Sequence, residues 1–196
     1  MTFPECLKDL DQSVFLFLNG LHCSFLDPVM YWSTNTTLWL PLYLIILYLL
    51  IRKYRWNTVW IILFIILMIV ISDQVSNIVK GFFARPRPTH EPGLSGVYTV
   101  NGYVGGAFGF YSAHASNTMA VAVFLSIFLG KFFRYFPPLI ILWSLFMAYT
   151  RLYLGVHYPF DLIVGMLVGC LLGWGMARLT LVIIKGRSPQ AGQFSE

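Results

Sequence analysis

Charge is what this sequence has least of. Of its 196 residues 11% are charged and 58% are hydrophobic, whereas a soluble domain is about 25% charged. The mean hydropathy of +0.71 excludes a soluble globule, because side chains this apolar are buried only in lipid or against other transmembrane helices. Of the charged residues the acidic are the fewer: 8 against 13 basic ones, for a net charge of +5. The Lys and Arg residues cluster at the ends of apolar runs and form no stripe, which excludes a nucleic-acid face and leaves the lipid bilayer, with its anionic lipids, as the partner. Cysteine is also rare. Cys6, Cys23 and Cys170 are an odd number without CxxC or other metal-ligand spacing, so neither a disulfide framework nor a zinc site is expected. The first 25 residues lack the basic start and small-residue cleavage site of a signal peptide. They carry Glu5, Lys8, Asp9 and Asp11 instead, so this segment is expected to be retained.

What is present is a set of long uncharged runs. Between Asp27 and Arg52 lie 24 residues without a formal charge, enough at 1.5 Å per residue to cross a hydrocarbon core of about 30 Å. Trp56 to Val79 gives a second span, interrupted only by Asp73; Ala115 to Phe133 gives a third, Pro137 to Leu154 a fourth and Phe160 to Ile184 a fifth. In residues 1–24, Leu7, Leu10, Val14, Phe17, Leu18 and Leu21 recur at helical spacing over a segment too short to span, which predicts a surface helix. The expectation is an all-α fold: one membrane-embedded domain over 1–196, a polytopic transmembrane bundle of about five spans behind an N-terminal interfacial helix.

One connection differs in kind. Residues 84–110 contain Pro86, Pro88, Pro92 and six glycines, a composition that breaks helices and favours turns. Counting Lys and Arg at the two ends of the spans gives eight on one side and five on the other. Cytoplasmic loops hold the excess, so the 84–110 loop is expected to face outward. Four of the five outward basic residues lie close to histidines at span ends, where a topology signal does not need them.

Three segments reach that outer face: Lys80 to Pro88, Tyr111 to Ser116, and Thr150 to Asp161. Together they offer Lys80, Arg85, Arg87, Ser112, His114, Arg151, His157 and Asp161. Planar Arg forks and a Lys ammonium match the oxygens of a phosphate group, and backbone N–H groups around Ala113 and His114, at the start of a predicted helix, add oriented donors. A single carboxylate among so many cations suits no divalent metal. Two histidines allow one to attack phosphorus while the other protonates the departing oxygen and then activates water. Asp161, four residues after His157, is placed to accept a hydrogen bond from one ring nitrogen and leave the other free. These residues predict metal-independent covalent phosphoryl transfer without a cofactor.

The spacing is that of a known signature. Lys80, six residues, then Arg87–Pro88; Ser112 and His114; and Arg151, five residues, His157, three residues, Asp161: in this order the chain resembles the type 2 phosphatidic acid phosphatase family, membrane lipid phosphatases. The resemblance implies that His157 is the nucleophile forming a phosphohistidine, His114 the general acid and then base, and Asp161 the orienting carboxylate. It implies that Lys80, Arg87, Arg151, Ser112 and the Ala113 N–H hold phosphate oxygens. Tyr111, Ala113 and Thr150 stand where the family has Pro, Gly and Ser. The substrates handled within the family include undecaprenyl diphosphate, phosphatidic acid, phosphatidylglycerol phosphate and lipid A phosphates, and all stay open here. The rival function is a non-catalytic transporter or flippase of an anionic phospholipid, which accounts for the cations but not for the His157–Asp161 spacing.

Other residues take plainer expectations. His22 and His90 read as packed or interfacial side chains, Arg85 as touching either substrate or solvent, with solvent favoured, and Gly165, Gly169 and Gly173 as a surface for close helix packing. Asp73, a charge within a span, is expected either to meet Ser72 or Ser76 or to act near the headgroup.

Overall fold

The computed structural model describes residues 5–187. Within them the chain forms α1 (Glu5–Asn19), α2 (Leu26–Ser33), α3 (Leu40–Tyr54), α4 (Thr58–Phe83), α5 (Ala113–Leu129), α6 (Phe136–Tyr153) and α7 (Pro159–Arg187). Among the described residues the nearest thing to a sheet is one isolated bridge between Pro86 and Phe108. The all-α expectation is met; residues 1–4 of the surface-helix segment lie outside the described range.

At the centre stands α5, with ten of its 17 residues buried between α4, α6 and α7. Lipid supplies no hydrophobic force between helices, so close packing must come from small residues. A Cβ on Gly165 would stand 2.6 Å from the Ser112 carbonyl oxygen; on Gly169, 2.3 Å from that of Ser116; on Gly173, 2.4 Å from that of Ala120. These three glycines let α7 lie directly on the backbone of α5, as their spacing suggests. Buried hydroxyls return to their own helices, Thr118 to the His114 carbonyl and Thr180 to Met176, as does the half-buried Ser126 to Ala122, which keeps polar atoms paired where no water reaches.

The outer surface is apolar. Leu44, Ile45, Leu63, Ile66, Leu142 and Leu171 are all about half exposed or more, an arrangement stable in lipid and not in water. Two stretches, Thr36–Phe83 and Pro159–Gly186, are long and apolar enough to cross a membrane, and Ala113–Leu129 is a shorter apolar helix.

The uncharged run from Asp27 to Arg52 is not the continuous span expected from its length. It is broken after Ser33, where five consecutive small polar residues, Ser33 to Thr37, offer the backbone competing partners. Asn35 accepts from both the N–H and the hydroxyl of Thr37, and the remaining helix, α3, has 15 residues. Hydrophobicity set the run; side-chain hydrogen bonding divided it.

The amphipathic α1 turns apolar residues outward: Leu7, Leu10 and Phe17 are exposed, while Asp11, Phe15 and Asn19, four residues apart, are buried against the protein. Asn19 donates to the carbonyls of Tyr98, Leu152 and Tyr153 and accepts from the Tyr98 N–H. Lys8 pairs with Glu91 of the 84–110 loop. His22 stacks on Tyr98 at 3.6 Å between ring centroids, and His90 is exposed beside Thr89, so both keep the plain reading.

The α5–α7 contact gives a paired test. Gly169→Ala forces a methyl into backbone and should lower stability by about 1–3 kcal/mol. Gly175→Ala, on the same helix with nothing within 4 Å, should be neutral or stabilising by up to about 1 kcal/mol. Thermal unfolding in detergent reads both; equal midpoints for the two variants would contradict the packing argument.

Candidate active site

The corner between α6 and α7 brings Arg151, His157 and Asp161 together by two local rules. The Gly155 N–H bonds the Leu152 carbonyl and the Val156 N–H that of Arg151, with Gly155 at φ +74°: a Schellman stop, which needs a residue tolerant of the left-handed region. The chain then restarts at Pro159, at the first position of α7 where a missing N–H costs nothing. Asp161, at the third position, reaches back to accept from the Tyr158 N–H at 3.1 Å, as in a capping box. Its Oδ2 also faces His157 Nδ1 at 3.4 Å, a long contact of the kind that tightens when substrate binds. A proton on Nδ1 satisfies that carboxylate and leaves Nε2 with its lone pair.

The Lys80–Pro88 segment arrives from the end of α4. Ala84 stops the helix in a left-handed conformation, and the chain then runs alongside the far end of its own loop, with Arg87 N–H on the Ala107 carbonyl and Gly109 N–H on that of Arg85. Arg87 Nε donates to the Phe108 carbonyl at 3.0 Å. Its guanidinium lies over Gly105, where an added Cβ would stand 2.1 Å from Nη1. At Gly109 a Cβ would meet Asp161 Oδ2 at 3.0 Å and His157 Nδ1 at 3.6 Å. The loop therefore presses bare backbone against the site, which explains two of the glycines in its composition.

At the start of α5, Ser112 is the N-cap: its Oγ accepts from the Ala115 N–H at 3.4 Å and its own N–H donates to the Asp161 carbonyl at 3.1 Å. The first-turn N–H groups of Ala113 and His114 precede the first helical bond, that of Ser116 to the Ser112 carbonyl, and point out of the helix end as anion donors. His114 interacts electrostatically with Arg151 and His157, and Lys80 with Arg87, Arg151, Asp73 and Asp161. His157 feels Arg87 and Arg151 as well as Asp161. All eight predicted site residues thus converge at one end of the bundle. From His114 a cavity of about 490 Å³ descends among α3, α4, α5 and α6, walled by Asn117, Thr118, Ile46, Ile65 and Trp143.

His157 is 2% exposed. Burial holds its imidazole down at about 4, against the opposing pull of Asp161 and with a further push from Arg87 and Arg151. It is neutral at physiological pH. Among the described residues there is no group of three or more His, Cys, Asp or Glu able to hold a metal ion.

Sequence reasoning misplaced Arg85. It does not face solvent: it is 7% exposed, with Nη1 on Asp161 Oδ1 at 2.8 Å and Nη2 on Asp11 Oδ2 at 2.7 Å. Its position two residues before Arg87 in an extended segment was visible, but nothing in the sequence told that an acidic residue 74 positions earlier would meet it. Tyr103 was also missed; its hydroxyl accepts from Arg151 Nη2 at 3.1 Å. Asp73 meets neither Ser72 nor Ser76, which pair with Ser116 and with the Tyr111 carbonyl; it accepts from Asn117 Nδ2 at 2.8 Å.

The model of the PAP2 superfamily matches residues 59–184, which holds all three motif segments. A lipid A 4'-phosphatase of Bacteroides thetaiotaomicron is 40% identical over 174 residues, 87% of this chain and 76% of that protein. A lipid A 4'-phosphatase of Porphyromonas gingivalis is 35% identical over 175 residues, 86% of this chain and 72% of that one. In three dimensions, the crystal structure of a transmembrane PAP2 type phosphatidylglycerolphosphate phosphatase from Bacillus subtilis superposes with a TM-score of 0.67 at 20% identity, covering 98% of this chain and 90% of that one, a likeness of fold. By its matched segment and by these identities over most of both chains, this chain belongs to the PAP2 superfamily.

Proposed function

We propose that this protein is a membrane lipid phosphatase that removes phosphate from a saccharolipid of the lipid A kind through a phosphohistidine intermediate. The observation that carries the reading is the His157–Asp161 contact among cations: a neutral imidazole with its lone pair free, acted on by Arg87 and Arg151, with Lys80 acting on the same Asp161. The lipid A assignment rests on the similarity to the two lipid A 4'-phosphatases.

In this reading His157 Nε2 attacks phosphorus as the bond from phosphorus to the lipid oxygen breaks, and His114 gives its proton to that oxygen. Asp161 stabilises the positive charge that grows on His157. Water then attacks the phosphohistidine, the now neutral His114 takes its proton, the P–N bond breaks and inorganic phosphate leaves. Lys80, Arg87, Arg151 and the N–H groups of Ala113 and His114 hold the phosphoryl oxygens, whose charge they match. Ser112, whose Oγ caps α5, holds a phosphoryl oxygen through its hydroxyl. No metal enters any step.

The same reading places the chain in a bacterial inner membrane as one domain with about five spans, α1 lying along the surface and the 84–110 loop on the periplasmic side. The headgroup enters at that face and an acyl chain lies along the apolar cavity that opens below His114.

Phosphate release by purified protein in detergent with EDTA, over lipid A, phosphatidic acid, phosphatidylglycerol phosphate and undecaprenyl diphosphate, tests this. Wild type should be active, with lipid A best, and vanadate should inhibit. His157→Ala and His114→Ala should each lose on the order of 10³-fold or more in kcat, with Ser112→Ala losing about tenfold. Lipid binding without release would favour the transporter; activity lost on chelation and restored by a divalent ion would end the metal-free mechanism.

The pH profile carries a sign. His157 attacks when neutral, and its protonation falls at about 4, so kcat/KM should decline below about 4 as that imidazole charges, while the need for a protonated His114 sets the alkaline limb. An acidic limb near the ordinary histidine value would contradict the buried, neutral His157.

A further inference from the structure

Asp11 belongs to none of the three motifs, yet it is as buried as the residues that do, 7% exposed. It lies on the inward face of α1, where Oδ2 accepts from Arg85 Nη2 and Oδ1 accepts from the Phe160 N–H at 2.9 Å. Arg85 is held between two carboxylates, Asp11 and Asp161, with its guanidinium carbon 4.2 Å from the centroid of the Tyr158 ring.

The charge count is informative. A guanidinium bound to Asp161 Oδ1 forms a neutral pair with it and weakens the field that Oδ2 sends to His157. A second carboxylate on the same guanidinium restores one net negative charge to the three side chains. Docking α1 does not need that charge, because an amide oxygen could accept from the Phe160 N–H equally well, and Phe15, Asn19 and the Lys8–Glu91 pair already fasten the helix.

We infer that Asp11 is a positioning residue for the proposed phosphoryl transfer: through Arg85 it keeps Asp161 oriented and net negative toward Nδ1 of His157, so that the N-terminal helix completes the active site. This rests on the phosphatase reading above. The groups facing His157 are Asp161 from α7, Arg87 from the outer loop, Arg151 from α6 and His114 from α5; those facing Asp11 are Arg85, Asp161 and the Phe160 N–H. Burial raises the Asp11 carboxyl above its ordinary value while Arg85 and that N–H pull it back.

The test compares Asp11→Asn with wild type and with Asp9→Asn, an equal loss of charge at an exposed site of the same helix. Phosphate release from lipid A, thermal unfolding and an NMR titration of ¹⁵N-labelled histidine are read for each full-length protein in detergent. Asp11→Asn should fold with an unchanged midpoint and keep KM within about twofold. Its kcat should fall about tenfold or more, and the His157 titration and the acidic limb should both move to lower pH, because the imidazolium has lost part of its counter-charge. Asp9→Asn should match wild type in all three. An Asp11→Asn protein with wild-type kcat and titration overturns the inference, as does one whose kcat and midpoint fall together with the titration unmoved, since that is the behaviour of a purely structural contact. If wild type releases no phosphate from any lipid, the phosphatase reading fails by itself, and an unmoved His157 titration would then reject the Asp11 coupling as well.

Discussion

The carboxylate of Asp161 has no solvent exposure, and a buried charge of that kind is stable only if its surroundings are organised to pay for it. Four parts of the chain are organised so. The corner of α6 and α7 supplies the Tyr158 N–H and the His157 ring; the outer loop supplies Arg85; α1 reaches it through Asp11 and Arg85; α5 is tied to its main chain by the Ser112 N–H. Removing Arg85, the guanidinium bonded directly to this carboxylate, leaves its charge unpaired and costs about 3–5 kcal/mol. The site is therefore also a structural joint, and the groups proposed to act in catalysis are held by the same contacts that hold the helix ends.

That joint sits at the boundary of two solvents. Below it the helices meet through glycines and back-bonded hydroxyls, the solution available where neighbouring lipid is as apolar as the side chains. Above it the proline- and glycine-rich loop folds down, with Gly105 and Gly109 making room for Arg87 and His157. Between them the cations gather where a headgroup would lie, and an apolar cavity continues from His114 into the bundle. A lipid phosphate is the kind of molecule that has both halves.

Much of this was legible in the sequence because the motifs encode local geometry. Five residues separate Arg151 from His157 because a Schellman stop and a helix restart take that many, and three separate His157 from Asp161 because an N3 carboxylate reaches the N-cap. Charge-free runs located the helices, and Gly165, Gly169 and Gly173 located a contact. The break at Ser33–Thr37 was hidden because hydropathy does not register side-chain hydrogen bonds to the backbone. Arg85 and Asp11 were hidden for a different reason: their pairing spans 74 positions, and on a helix whose apolar face turns outward, an inward acid looks like an ordinary polar residue. Asp73 likewise found its partner on another helix, Asn117, and not among its sequence neighbours.

The central claim is that phosphorus passes through the His157 nitrogen. A rapid-quench single turnover with ³²P-labelled lipid A, followed by acid and alkali stability and peptide mapping, addresses it directly. The account predicts label on the peptide containing His157, stable in alkali and lost in mild acid as a phosphorus–nitrogen bond is. Label on Ser112, stable in acid and lost in alkali, or complete turnover with no labelled protein at any quench time, would contradict it.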